Sequence, residues 1–166
     1  RASVDSSLDQ FVRIKAAVSE GIEFFTANDH DHVVDYMPWV YELGLEPYLM
    51  TIPSMETSPL EWGHFNGWPV KYDHRKQPIH DPAPWHTEPS MSAIWDNMRE
   101  RADGPADAFV LQGNHPRDGV MGYFNQIGLK AYNLERGTGG SMMCSKAVEE
   151  APCEFDAMEI MNGKNL

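Results

Sequence analysis

Hydrophobic and polar positions along the chain change period several times, and each change predicts an element. Over residues 7–20, "SLDQFVRIKAAVSE", Leu8, Phe11, Val12, Lys15 and Val18 fall at helical spacing. The spacing predicts an amphipathic helix with Ser6 or Ser7 as N-cap and Gly21 as the stop. "IEFFTAND" then reads as a short buried strand that runs into the polar cluster Asn28, Asp29, His30, Asp31 and His32. "HVVDYMPWVYELG" predicts a helix that tolerates Pro38 in its first turn or as a kink and ends at Gly44.

Two further strands are predicted in "PYLMTIPSMET" and "GHFNGWPV", where β-branched and aromatic residues bracket turn formers. Residues 71–90, rich in proline and histidine, have no period and predict a long surface excursion. "MSAIWDNMRERA" predicts a helix capped by Ser90 or Ser92, "ADAFVLQGN" a strand and "FDAMEIMNG" a last strand closed by an Asn-Gly turn. Residues 126–154 are irregular, Gly- and Met-rich, and predict a second long loop. Strands alternating with helices imply one α/β domain over residues 1–166, with a mostly parallel sheet or barrel. In such folds chemistry collects at the C-terminal strand ends.

Composition narrows the partners. The 166 residues carry a formal charge of −12, with only 13 lysines and arginines. That balance argues against a nucleic-acid partner and leaves a small-molecule substrate as the expectation. No apolar run is long enough to span a membrane, so no membrane insertion is expected. Localisation and oligomeric state stay unassigned. Cys144 and Cys153 leave a disulfide, two free thiols and plain loop residues all open.

The chemistry lies where the polar residues fall. The first strand ends in Asp29 and His30, the second in Glu56, the third begins at His64 and the fourth ends at His115. Imidazole nitrogen and carboxylate oxygen are the ligand set for Zn, Mn or Fe, and a hydrolytic site draws such ligands from separate strands. Taken singly, each has a plain structural reading; His115 before Pro116 is equally an ordinary strand exit, with extended backbone expected there. Recurrence over four strands favours a metal site. His74, His80 and His86 form no ligand set and read as solvated loop residues. Nucleophile-elbow, Walker and dinucleotide fingerprints are missing.

The stretches "EGIEFFTANDHDHVVDY", "IPSMETSPLEWGHFNGWPV", "LQGNHPRDGVMGYFN" and "FDAMEIMNG" resemble the PHP (polymerase and histidinol phosphatase) superfamily of metal-dependent hydrolases. Within it they are similar to the branch of the carbaryl hydrolase CehA and McbA-like proteins. They run in family order and cover most of the chain. The resemblance implies a distorted (β/α)7 PHP-type barrel with two or three divalent transition-metal ions (Zn, Mn or Fe).

By that resemblance His30 is the ligand of a T-D-H motif, with Asp29 beside it to orient it or accept a proton. Glu56 looks like a bridging glutamate, His64 like the histidine of G-H-F-N, and His115 like that of N-H-P. Asp5 is similar to an aspartate that follows the family's opening H-x-H. That H-x-H would fall before Arg1 and a closing aspartate-x-histidine after the last strand, so the expectation is an incomplete barrel.

The implied activity is hydrolysis of an ester, carbamate, amide or phosphoester by a metal-bridged hydroxide, the ions lowering the pKa of bound water from 15.7 towards roughly 7. Arg117 is a candidate for holding an anionic group or stabilising developing charge. The alternative is a PHP-fold remnant or binding domain without catalysis.

Overall fold

The computed structural model describes residues 7–59, 62–73, 75, 90–119, 121–129 and 154–160. Helix α1 spans Gln10–Ser19. Its cap is Asp9, whose carboxylate accepts from the Phe11 N–H, and not Ser6 or Ser7; starting there turns Gln10 and Ile14 into the core. At the other end Gly21 takes φ +74°, and the Ile22 N–H returns to the Ala17 carbonyl, the left-handed stop expected of this glycine.

Strand β1 is Phe24–Asp29, followed after a turn at Asp31 by β2, His32–Val33. The predicted helix over 32–44 therefore shortens to α2, Met37–Glu42, because the β-branched pair after the turn folds back on β1. Pro38 sits in the first turn of α2, where its missing N–H costs no hydrogen bond.

The strand predicted over 47–57 divides into β3, Met50–Pro53, and β4, Met55–Thr57. Ser54 between them bridges to Val34. β5 is Phe65–Trp68, α3 is Met91–Glu100 with Ser90 as its cap, and β6 is Val110–Gly113 after a 3-10 turn at Ala106–Ala108. A short helix α4, Tyr123–Gln126, and β7, Ala157–Met158, complete the order.

The strands form two small mixed sheets, β2-β1-β3 and β4-β5-β6-β7. β1 and β3 are parallel, as are β6 and β7, whereas β1–β2, β4–β5 and β5–β6 are antiparallel. A mostly parallel sheet is thus not what forms. The connection from β4 to β5 covers only residues 58–64, too short for a helical crossover, so β5 must return antiparallel. The class is mixed α/β, and no closed barrel is formed among the described residues. No helix among them is long and apolar enough to cross a membrane.

Alternation along the strands gives the β4–β7 sheet two different faces. Met55, Phe65 and Leu111 point to one side and pack with Met91, Ile94, Trp95, Met98 and Tyr123 in the larger core cluster. Full burial of side chains such as Phe65 or Leu111 contributes about 1.5–3 kcal/mol each. A second cluster, Ile14, Ala27, Val34, Tyr36, Val40 and Leu49, lies between β1 and the first two helices. The opposite face of the sheet is polar, and it carries the site.

Candidate metal centre

Strand direction explains why the polar residues meet. β4 and β6 both run antiparallel to β5, so the beginning of β5 lies beside the ends of β4 and β6. His64 precedes its strand, whereas His30 and His115 follow theirs, and all three reach one edge. The register lines them up further: Glu56 is opposite Asn66, Asn66 opposite Gln112, and Gln112 opposite Ala157. His30 joins the same row through a parallel bridge to Glu56. Residues two places along, His64, Asn114 and Glu159, share that face by the period of two.

The result is a cleft of about 410 Å³ lined by Asn28, His30, Glu56, His64, Asn66, Gln112, Asn114, His115, Asp118, Met121 and Glu159. His30, Glu56 and His64 can each direct one ligand atom so that all three atoms lie within 4.8 Å of one another. Nε2 of His30 is 3.6 Å from Oε2 of Glu56, and Nδ1 of His64 is 3.1 Å from Oε1. Nδ1 of His30 contacts the Ser58 hydroxyl, which leaves Nε2 on the Glu56 side. The His115 ring stands edge-on to that of His64, with centroids 4.9 Å apart.

Two observations fit this set to a cation. Nδ1 of His115 is buried and makes no hydrogen bond, and the polar neighbour of the buried Nδ1 of His64 is the Glu56 carboxylate. A buried polar atom left this way costs about 1–3 kcal/mol. The charged lining residues, Glu56, Asp118 and Glu159, are all acidic, and no lysine or arginine is among the described lining residues. Two imidazoles and a carboxylate are a donor set found at catalytic zinc.

Protonation suits ligation. Burial raises the Glu56 pKa, but His64, the charge of His30 and a hydrogen bond from Asn114 together outweigh it, and the carboxyl is held below its ordinary value. His115 is also held below its ordinary value, by burial first and by His64 second, against the pull of Glu56, Glu159 and Asp118.

Backbone strain concentrates at the same place. The two non-glycine residues with positive φ among the described residues are His115, at +26°, and Asp31, at +57°, directly after His30. The backbone at His115 is therefore left-handed and not extended, despite Pro116. Its N–H is held by Oε2 of Glu159 at 2.6 Å and its carbonyl accepts from the Asp118 N–H. Asp31 is held by its N–H to the Glu56 carbonyl at 2.7 Å and by its carboxylate to the Ser58 N–H.

Other expected residues stand elsewhere. Asp29 is buried at 1% exposure and accepts from Arg13 at 3.2 Å and from the Tyr36 hydroxyl at 2.8 Å, so it anchors α1 and does not orient His30. Adjacent residues of a strand face opposite ways, and Asp29 and His30 are adjacent. Arg117 is exposed, donates to the Leu129 carbonyl and lies over the Phe124 ring, 5.3 Å from its centroid. It does not line the cleft. Asp5, His80, His86, Cys144 and Cys153, with His74, lie outside the described residues.

Sequence reasoning did not single out Asp118, Glu159 or the amides Asn28, Asn66 and Gln112. Glu159 could have been found from strand alternation in "FDAMEIMNG"; the amides carry no signal of their own. The chain matches no family model, no curated protein and no solved structure.

Proposed function

We propose that this domain is a metal-dependent hydrolase of small molecules, with His30, Glu56 and His64 holding a divalent transition-metal ion (Zn, Mn or Fe) and His115 beside them. The observation that carries the reading is the convergence of two imidazoles and a partly buried carboxylate, drawn from three chain segments, in a cleft whose described charged side chains are acidic. The resemblance to PHP hydrolases points the same way, and a PHP-type (β/α)7 barrel with two or three ions is the larger architecture proposed for it.

The bound ion supplies Lewis acidity and lowers the pKa of a coordinated water. The chain's own residues do the rest. Ser58 fixes the His30 ring. Nδ1 of His115 is without a hydrogen bond and is available to take a ligand or a proton. Asp118 and Glu159 add negative charge that favours cations in the cleft. The bond cleaved belongs to an ester, carbamate, amide or phosphoester.

The test is metal analysis of the purified protein combined with hydrolysis assays over ester, amide and phosphate panels with added Zn, Mn or Fe. Bound metal and metal-dependent turnover are expected. Metal uptake without turnover would assign a binding domain or catalytically silent remnant, and no uptake would overturn the metal site itself.

A further inference from the structure

The polar face of the β4–β7 sheet holds a chain of carboxamides beside the metal ligands. Nε2 of Gln112 donates to Oδ1 of Asn114 at 3.0 Å, and Nδ2 of Asn114 donates to Oδ1 of Asn66 at 2.8 Å. Asn66 and Asn114 are 6% and 5% exposed. The Asn114 backbone is fixed as well, its N–H donating to the His64 carbonyl at 2.9 Å.

Two bonds give this chain its direction. The amino end of Asn114 faces Asn66 on β5, and its carbonyl end faces Gln112 on β6. Glu56, the register partner of Asn66 on β4, offers an ionised carboxylate that can only accept. Asn66 in turn presents its carbonyl to Asn114, which turns its own NH₂ away. That group donates to no atom among the described residues, and Asn66 lines the cleft as the register partner of Glu56.

We infer that Nδ2 of Asn66 is the donor that receives a substrate oxygen, the carbonyl oxygen of an ester, amide or carbamate as it gains negative charge, with Asn114 and Gln112 as positioning residues. This assignment rests on the hydrolase reading and narrows it to acyl compounds. An uncharged donor costs less than a cation in a site built to hold metal, and it strengthens as the oxygen becomes an oxyanion. A donor aimed in advance by two others needs no reorganisation when charge develops.

The experiment uses the metal-loaded protein and compares the parent with Asn66→Ala and Asn66→Asp. Asn66→Asp keeps an acceptor for Asn114 and so retains the sheet contact if the alanine variant does not fold. Ester turnover, metal content and binding of acetohydroxamate by calorimetry are measured together. Both folded variants are expected to keep parental metal content, to lose about 100-fold or more in kcat with a smaller change in KM, and to bind acetohydroxamate at least tenfold more weakly. Gln112→Met, which unfixes the relay without touching Asn66, is expected to lower kcat less. Parental kcat and parental acetohydroxamate affinity in a folded Asn66 variant would overturn the donor assignment while leaving the hydrolase reading standing. A parent protein that takes up no metal would overturn both.

Discussion

His30 and Glu56 face each other across a single parallel bridge that keeps the register of β1 with β3, although Ser54 interrupts the strand between them. The two candidate ligands are thus spaced by a sheet ladder and not by a loop. Glu56→Gln keeps the shape and removes the charge, and it is expected to lower metal affinity by tenfold or more while the unfolding midpoint stays near the parent's. Calorimetric metal titration and urea denaturation of the same samples check both halves.

His115 carries a ligand candidate on a left-handed backbone, a conformation that costs a non-glycine residue about 1–2 kcal/mol. His115→Gly relieves the strain and removes the imidazole. The variant should resist urea as well as the parent, or better by up to about 1 kcal/mol, yet bind less metal. Equal metal content in parent and variant would argue against a ligand role.

The same imidazole predicts a pH response of the metal-free protein. Because its folded-state pKa lies below the ordinary 6.5, the unfolded state binds the proton more readily. Its contribution is complete above about pH 6.5 and is lost as pH falls through the lower folded value. NMR titration should place the His115 midpoint below those of solvent-exposed histidines, and His115→Gly should flatten this part of the stability profile.

The Arg13–Asp29–Tyr36 cluster predicts structural effects without catalytic ones. Arg13→Met leaves the Asp29 carboxylate buried with only the Tyr36 hydroxyl, and a loss of about 3 kcal/mol is expected by urea denaturation. Tyr36 is raised well above its ordinary value of 10.0, by burial first and then by Asp29, with Arg13 opposing. A raised folded pKa stabilises fully below the unfolded value, so this contribution persists to about pH 10 and declines above it. Ultraviolet titration should show fewer tyrosines ionising near pH 10 in the parent than after unfolding, and Tyr36→Phe should shrink the difference by one tyrosine.

Gly63 precedes His64 with φ +82°, and a Cβ there would come within 2.8 Å of the Met121 carbonyl and the Tyr123 nitrogen. Those contacts are backbone atoms and cannot swing aside. Gly63→Ala is expected to cost about 2 kcal/mol or more, measured by denaturation, and to move His64 away from the 115–122 turn, measured as weaker metal binding.

Much of the site was legible because polar residues at the ends of apolar runs are conspicuous: His30, Glu56, His64 and His115 were each visible in that way. What the pattern lacked was side. "NDHDH" shows Asp29 and His30 as neighbours, and only the pleat reveals that one faces Arg13 and the other Glu56. Strand direction was equally hidden, since hydrophobic runs look the same whichever way they are traversed; the short 58–64 link was the available clue. Asn66 and Gln112 stayed invisible because amides are common on solvated strand faces, and their importance comes from the hydrogen bonds between strands.

The break at Ser54 has a further consequence for how the molecule comes apart. One continuous segment, residues 50–57, serves two sheets and abuts two separate apolar clusters, with His30 on one side of the joint and His64 on the other. An ion held by these residues would act as a rivet between two units that could otherwise melt independently. Stripped of metal, the protein is expected to lose its α1–β1 half and its α3–β5–β6 half in separable steps; loaded, it should unfold as one. The metal would then set cooperativity as well as chemistry.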